Sequence, residues 1–107
     1  MFEERRESER VRTNLPVRWE GAFNSSAGTV VDISTTGCFI LSDASAQQRE
    51  LIRLEFELPT GRLIYAWGEV VYRFDEVGFA LRFTGVDPTE SLMLEAIIEF
   101  ARSGVAA

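Results

Sequence analysis

Ile52, Leu54, Phe56 and Leu58 alternate with Arg53, Glu55 and Glu57. A period of two puts the four apolar side chains on one face of an extended strand and the three charges on the other, so this stretch reads as a half-buried β-strand. The same period recurs along most of the chain. Leu15, Val17 and Trp19 alternate with Pro16, Arg18 and Glu20 from residue 13 onward, and Pro16 points to an edge position because it has no N–H to donate. Thr29 to Ile33 is rich in β-branched residues, and Cys38 to Leu41 is a short apolar run. Residues 62–74 form the longest segment, with Ile64, Ala66, Gly68, Val70, Tyr72 and Phe74 expected on the inner face and Gly68 expected to ease a bend or bulge. In the last such segment Val77, Phe79, Leu81 and Phe83 alternate with Gly78, Ala80 and Arg82.

Turn chemistry separates these six segments: Asn24 to Gly28, Ser34 to Gly37, a polar loop at 42–49, Pro59-Thr60-Gly61 and Asp75-Glu76. The final element differs in kind. Asp87-Pro88-Thr89-Glu90 supplies an N-cap, a proline at the first helical position and an acid at the third, and Met93, Ala96, Ile97 and Phe100 follow at helical spacing. Six antiparallel strands and one helix in 107 residues fit an all-β fold, a six-stranded closed barrel with a C-terminal helix, because closure removes every exposed sheet edge. A chain of this size supports one core, so a single domain is expected over 1–107, with residues 1–12 as a flexible arginine-rich arm and 13–107 as the barrel and helix.

Charge and composition narrow the function classes. No apolar run approaches the roughly 20 residues of a membrane span and the N-terminus is charged, which points to a soluble cytoplasmic protein. With one cysteine, Cys38, and no histidine, a Cys/His metal site is excluded, and Cys38 lacks a base to activate it. It is expected to be a buried structural thiol. Carboxylates are scattered over turns and outward strand faces, and nothing forms a catalytic constellation, so no enzyme is expected and no cofactor is implied. A net charge of -6 argues against DNA or RNA as partner. Residues 1–18 nevertheless carry five arginines against four glutamates, while the remainder carries six arginines against thirteen acids, so the anion-binding region is expected near the N-terminus. Trp67 falls on the outward face of its strand, where it is open to a partner.

Two short patterns remain. Arg6-Glu7-Ser8-Glu9-Arg10 places two arginines four apart, and Asp32-Ile33-Ser34-Thr35-Thr36-Gly37 begins 22 residues after Arg10. Each alone reads as a solvated arm and a well-formed turn. In this order, with one strand between them and a six-strand-plus-helix pattern overall, they resemble the PilZ domain family, whose hallmark is RxxxR followed by (D/N)xSxxG. The resemblance covers essentially the whole chain, including Val77 to Phe83 as the last barrel strand. It implies a receptor domain for the bacterial messenger cyclic di-GMP, contacted by Arg6, Arg10, Asp32, Ser34 and Gly37, with an arm that orders on binding and a downstream protein partner. In that family an arginine at the position of Arg5 goes with an intercalated pair of ligands, so two cyclic di-GMP molecules per chain are expected, against the four glutamates that dilute the arm's positive charge.

The residue chemistry is independently suitable. Arginine meets phosphate or the guanine O6/N7 edge bidentately and stacks on bases. The Asp32 carboxylate can accept from guanine N1–H and N2–H, donors that adenine does not present in that arrangement. Ser34 offers a hydroxyl, and Gly37 either a positive φ or close approach to the backbone. The competing reading is a PilZ-like protein-interaction module that does not bind the nucleotide.

Overall fold

All six alternating segments form strands, and closure of the sheet gives each a partner on both sides. The computed structural model describes residues 10–58, 60–84 and 88–103. Strands β1 (Val11–Glu20), β2 (Ser25–Ile33), β3 (Gly37–Leu41), β4 (Leu51–Glu57), β5 (Leu63–Phe74) and β6 (Gly78–Phe83) make a closed barrel in the order β1-β2-β3-β6-β5-β4, all pairs antiparallel. Helix α1 (Pro88–Ser103) follows, and Pro88 is its first residue, as the capping signal predicts. Packing of α1 is against β1 and β5.

Alternation fills the barrel. Val17, Trp19, Val30, Ile40, Ile52, Leu54, Phe56, Val70, Phe79 and Leu81 are all buried in one core. Strands β1 and β6 are not neighbours in the sheet, so Trp19 and Phe79 meet across the interior, edge to face with ring centroids 5.2 Å apart. The indole Nε1–H donates to Ser42 Oγ at 3.0 Å, which satisfies the one polar group that the ring takes inside. At the β1–β2 end of the barrel the Glu50 carboxylate accepts from the Ala22 and Gln47 backbone N–H groups, each at 2.8 Å, and so ties two loops together.

Several expectations need correction. Strand β1 starts at Val11 rather than residue 13, because Val11 and Arg12 pair with Ile33 and Asp32. Strand β2 starts at Ser25, since a tighter turn, closed by Gly21 N–H to Asn24 O at 2.8 Å, frees the serines for the ladder. Pro16 lies in a closed sheet rather than on an edge strand, yet β4 pairs only with Val17 to Glu20, so beside Pro16 only β2 runs alongside. Tyr72 and Phe74 face outward: the register slips between Val70 and Tyr72, so Val71 is an extra residue that reverses the inside–outside parity of the strand end. The bulge is therefore at Val71 and not at Gly68, where a Cβ would come within 2.5 Å of the buried Leu81 side chain. Val77 belongs to the exposed turn, and Ala80, expected outside, is covered. On α1 the buried stripe is Leu94, Ile97 and Ile98, with Met93 partly buried and Ala96 exposed, a rotation of the helix from the expected face.

The cross-barrel contact gives a direct stability expectation. Phe79→Ala should lower the free energy of unfolding by about 3–5 kcal/mol in urea titration, because it empties the centre of the core. Trp67→Ala removes a larger ring that is 48% exposed and should cost roughly 1 kcal/mol or less. Equal losses from the two would contradict the assignment of faces.

Candidate functional site

A second parity break shapes the site. In the β2–β3 ladder Val30 pairs with Ile40 and Asp32 with Phe39, leaving Val31 without an opposite residue. In the β1–β2 ladder the same point is a slip between Arg12 and Leu15. Strict alternation would put Asp32 inside with Val30 and turn Ile33 out. The extra residue inverts this, so Ile33 is buried and the Asp32 carboxylate stands on the outer face.

There Arg10 meets it. Arg10 Nη1 donates to Asp32 Oδ1 at 2.5 Å, with side chains 51% and 32% exposed. The two motifs, 22 residues apart in sequence, thus touch through one atom pair. In this exposed setting such a pair adds only about 0–1 kcal/mol to stability and can be exchanged for other partners. Arg12, not singled out by the motif, is the cross-strand neighbour of Asp32 and is exposed on the same outer face. Arg5 and Arg6 lie outside the described residues.

Ser34 and Gly37 hold the turn. The Ser34 N–H donates to Gly37 O at 2.8 Å, and the fully buried Ser34 hydroxyl accepts from the Thr36 N–H at 3.1 Å, lies 3.0 Å from Thr36 Oγ1 and is 3.4 Å from Gly37 O. These contacts engage the hydroxyl within the turn itself, so Ser34 builds the turn from within. Gly37 has no positive φ, contrary to one of the two sequence expectations. Its smallness serves the close approach of β3 to β6: a Cβ there would drive into the Leu81 carbonyl oxygen. Next to Gly37, the buried Cys38 thiol has its pKa pushed far up, first by burial and then by the Asp32 charge, with Arg10 acting in the opposite sense. The shift keeps the thiol protonated, and register sets Cys38 opposite Ile33, one position along from Asp32 and on the buried side of the sheet.

An aromatic wall continues the site sideways. Register runs Arg12, Asp32, Phe39, Ala80, Tyr72 across β1, β2, β3, β6 and β5. Phe39 and Phe74 have ring centroids 6.1 Å apart, and Tyr72 and Phe74 pack edge to face at 5.4 Å. Tyr72 and Phe74 are about half exposed, at 46% and 55%. From Asp32 to Tyr72 is three strand spacings, roughly 14 Å. Sequence reasoning missed this wall because strict alternation assigned both rings to the interior. Among the described residues no cluster of acids and cysteine could hold a metal ion, and no helix is long and apolar enough to cross a membrane.

The sequence matches the family model for the PilZ domain over residues 4–100. The chain belongs to the PilZ domain family. Its fold is similar to the PilZ domain of YcgR from Escherichia coli, solved with c-di-GMP, at a TM-score of 0.79 and 16% identity over 94% of this chain and 93% of that one. The inhibitor of motility MotI/DgrA from Bacillus subtilis matches at a TM-score of 0.75 and 21% identity, over 94% of this chain but only 52% of that protein, so this PilZ chain spans about half its length. The PilZ domain of CeSA from a cellulose-synthesizing bacterium matches at 0.70 and 14% identity, over 86% and 96% of the two chains. Comparison with curated proteins finds no match.

Because the thiol of Cys38 is buried and held protonated, it should not react with a thiol-specific chromogenic disulfide in the native PilZ chain and should react with one equivalent in denaturant. Rapid native labelling would contradict the burial of Cys38.

Proposed function

We propose that this chain is a non-catalytic receptor for cyclic di-GMP whose site is the outer face running from Arg10 and Asp32 to Tyr72, and that the binding event is passed to a partner protein. The observation that carries the reading is the Arg10–Asp32 contact, which joins the two family motifs at a partly exposed carboxylate on the outer face. The YcgR PilZ domain was solved with c-di-GMP, which supports the same ligand class here.

Each group has a chemical task in this reading. Asp32 accepts from guanine N1–H and N2–H, while Arg10 and Arg12 turn to phosphate or to the guanine O6/N7 edge. Exchange of Arg10 from Asp32 to the ligand costs little, because the pair is solvated at the start. Tyr72 and Phe74 offer ring faces for base stacking at the far end of the row, and base–aromatic stacking contributes about 1–3 kcal/mol per base. Ser34 and Gly37 act one step back, by fixing the turn that aims Asp32. Arg5 and Arg6, from the arm that precedes β1, would close over the ligand and give the conformational change that a partner reads. With Arg5 present, two stacked ligands per chain are expected.

Calorimetric titration tests the reading. Cyclic di-GMP should bind and cyclic di-AMP and GTP should bind far more weakly. Arg6→Ala, Arg10→Ala and Asp32→Ala should each remove about 1–3 kcal/mol of binding without loss of fold. Heat uptake absent at every cyclic di-GMP concentration would favour the protein-interaction module instead. A stoichiometry of one in the parent, unchanged in Arg5→Leu, would overturn the two-ligand expectation.

Tyr72→Ala should weaken cyclic di-GMP by about 1–3 kcal/mol while leaving the melting curve of the free chain almost unchanged, since the ring is half exposed. Wild-type affinity in that variant would remove the aromatic wall from the site.

A further inference from the structure

The tip of the β1–β2 turn carries Phe23, at 74% the most exposed large apolar side chain among the described residues. The turn beneath it is fixed on both sides. Ala22 N–H donates to Glu50 Oε2 at 2.8 Å and Asn24 Nδ2 donates to Ser45 O at 3.0 Å, so the ring projects from a rigid base. Beside it lies a concavity of about 380 Å³ lined by Glu20, Gly21, Ala22, Leu51, Arg53 and Trp67. Leu51 and Trp67 expose apolar surface there, and Tyr65 and Leu63 extend it along the outward positions of β5. A projecting ring and a hydrophobic hollow therefore share one patch.

Charge on this face is close to balanced, with Glu57, opposite Leu63, the exception on β4, although the chain as a whole carries -6. Register places Arg18 beside Glu55, Arg53 beside Glu20 and Arg82 beside Glu69, and the last two form ion pairs at 3.4 and 2.6 Å. Two copies of a strongly acidic chain repel one another elsewhere, but not where each arginine already faces a glutamate. A two-fold contact also requires one surface to be complementary to itself, with knob and hole on the same patch.

We propose that the β1–β4–β5 face is the interface of a two-fold dimer in which Phe23 of each copy enters the Trp67-lined hollow of the other. The ring is large and apolar, and the turn that carries it is held before association, so little backbone ordering opposes it. Dimer formation leaves the face of Asp32, Phe39 and Tyr72 open, because that face lies on β2, β3 and the far end of β5.

Sedimentation velocity of the 107-residue chain from micromolar to millimolar concentration tests this. The parent should shift from 12.1 kDa toward twice that mass as concentration rises. Phe23→Asp and Trp67→Ser should each weaken association at least tenfold, whereas Phe74→Ser, on the aromatic wall, should associate like the parent. Circular dichroism melting establishes that each variant is folded, and Phe23→Asp, at a three-quarters exposed position, decides the matter if Trp67→Ser is not. A parent that stays at the mass of one chain throughout, including the case in which this face serves a different protein, or a dimer that survives either substitution in a folded variant, overturns the proposal.

Discussion

Asp32 faces solvent and Ile33 faces the core because β2 carries one residue, Val31, that has no opposite number on β3. The period of a strand is two, so a single inserted residue moves everything beyond it to the other face. Without it the carboxylate would enter an apolar interior, at a cost that no partner there repays, and Ile33 would be wasted on solvent. With it, the strand end keeps its core residue and the outer face gains an acid. The turn that follows is then locked from inside by the buried Ser34 hydroxyl and by the absence of a Cβ at Gly37, so the direction of the Asp32 side chain is set by packing.

The same device operates once more on the far side of the face. Val71 on β5 is an extra residue like Val31 on β2, and its consequence is the outward turn of Tyr72 and Phe74. Two parity breaks, separated by β3 and β6, thus convert a stretch of barrel wall into a surface with charges at one end and rings at the other. Small Ala80 lies between them and leaves Phe39 and Phe74 free to approach each other over it. Barrel closure makes this affordable, since neither bulge exposes an unpaired edge to another chain.

Much of the architecture was legible in the sequence. Alternation at Leu15 to Trp19, Ile52 to Leu58 and Phe79 to Leu81 marked the strands and their buried faces, and Pro88 marked the helix start. Closure followed from six strands with nothing to cover an edge. What could not be read was parity at the ends of long strands. Tyr72 and Phe74 continue the even-numbered series from Ile64 without any local sign, since a bulge at a valine has no glycine or proline to announce it. The helix stripe is displaced because Leu94 and Ile98 are apolar neighbours of the expected Met93 and Ile97, and the sequence does not say which of these faces β1 and β5. For the site, the motif residues were visible but their division of labour was not. Ser34 reads as a ligand donor by pattern, while its buried hydroxyl bonds within the turn to Thr36 and Gly37, and Arg12 becomes a neighbour of Asp32 only through cross-strand register.

The central claim is that the parity break at Val31 and its counterpart at Val71 build one continuous ligand surface on the outer wall. Backbone amide chemical shifts followed during titration with cyclic di-GMP test it most directly. The account predicts that the perturbed amides outside the arm form a band through residues 10–12, 31–37, 39 and 72–74, with residues 53–57 and 63–67 on the opposite wall unmoved. Perturbations centred on the β4–β5 wall, or none near Asp32 at saturating ligand, would contradict it.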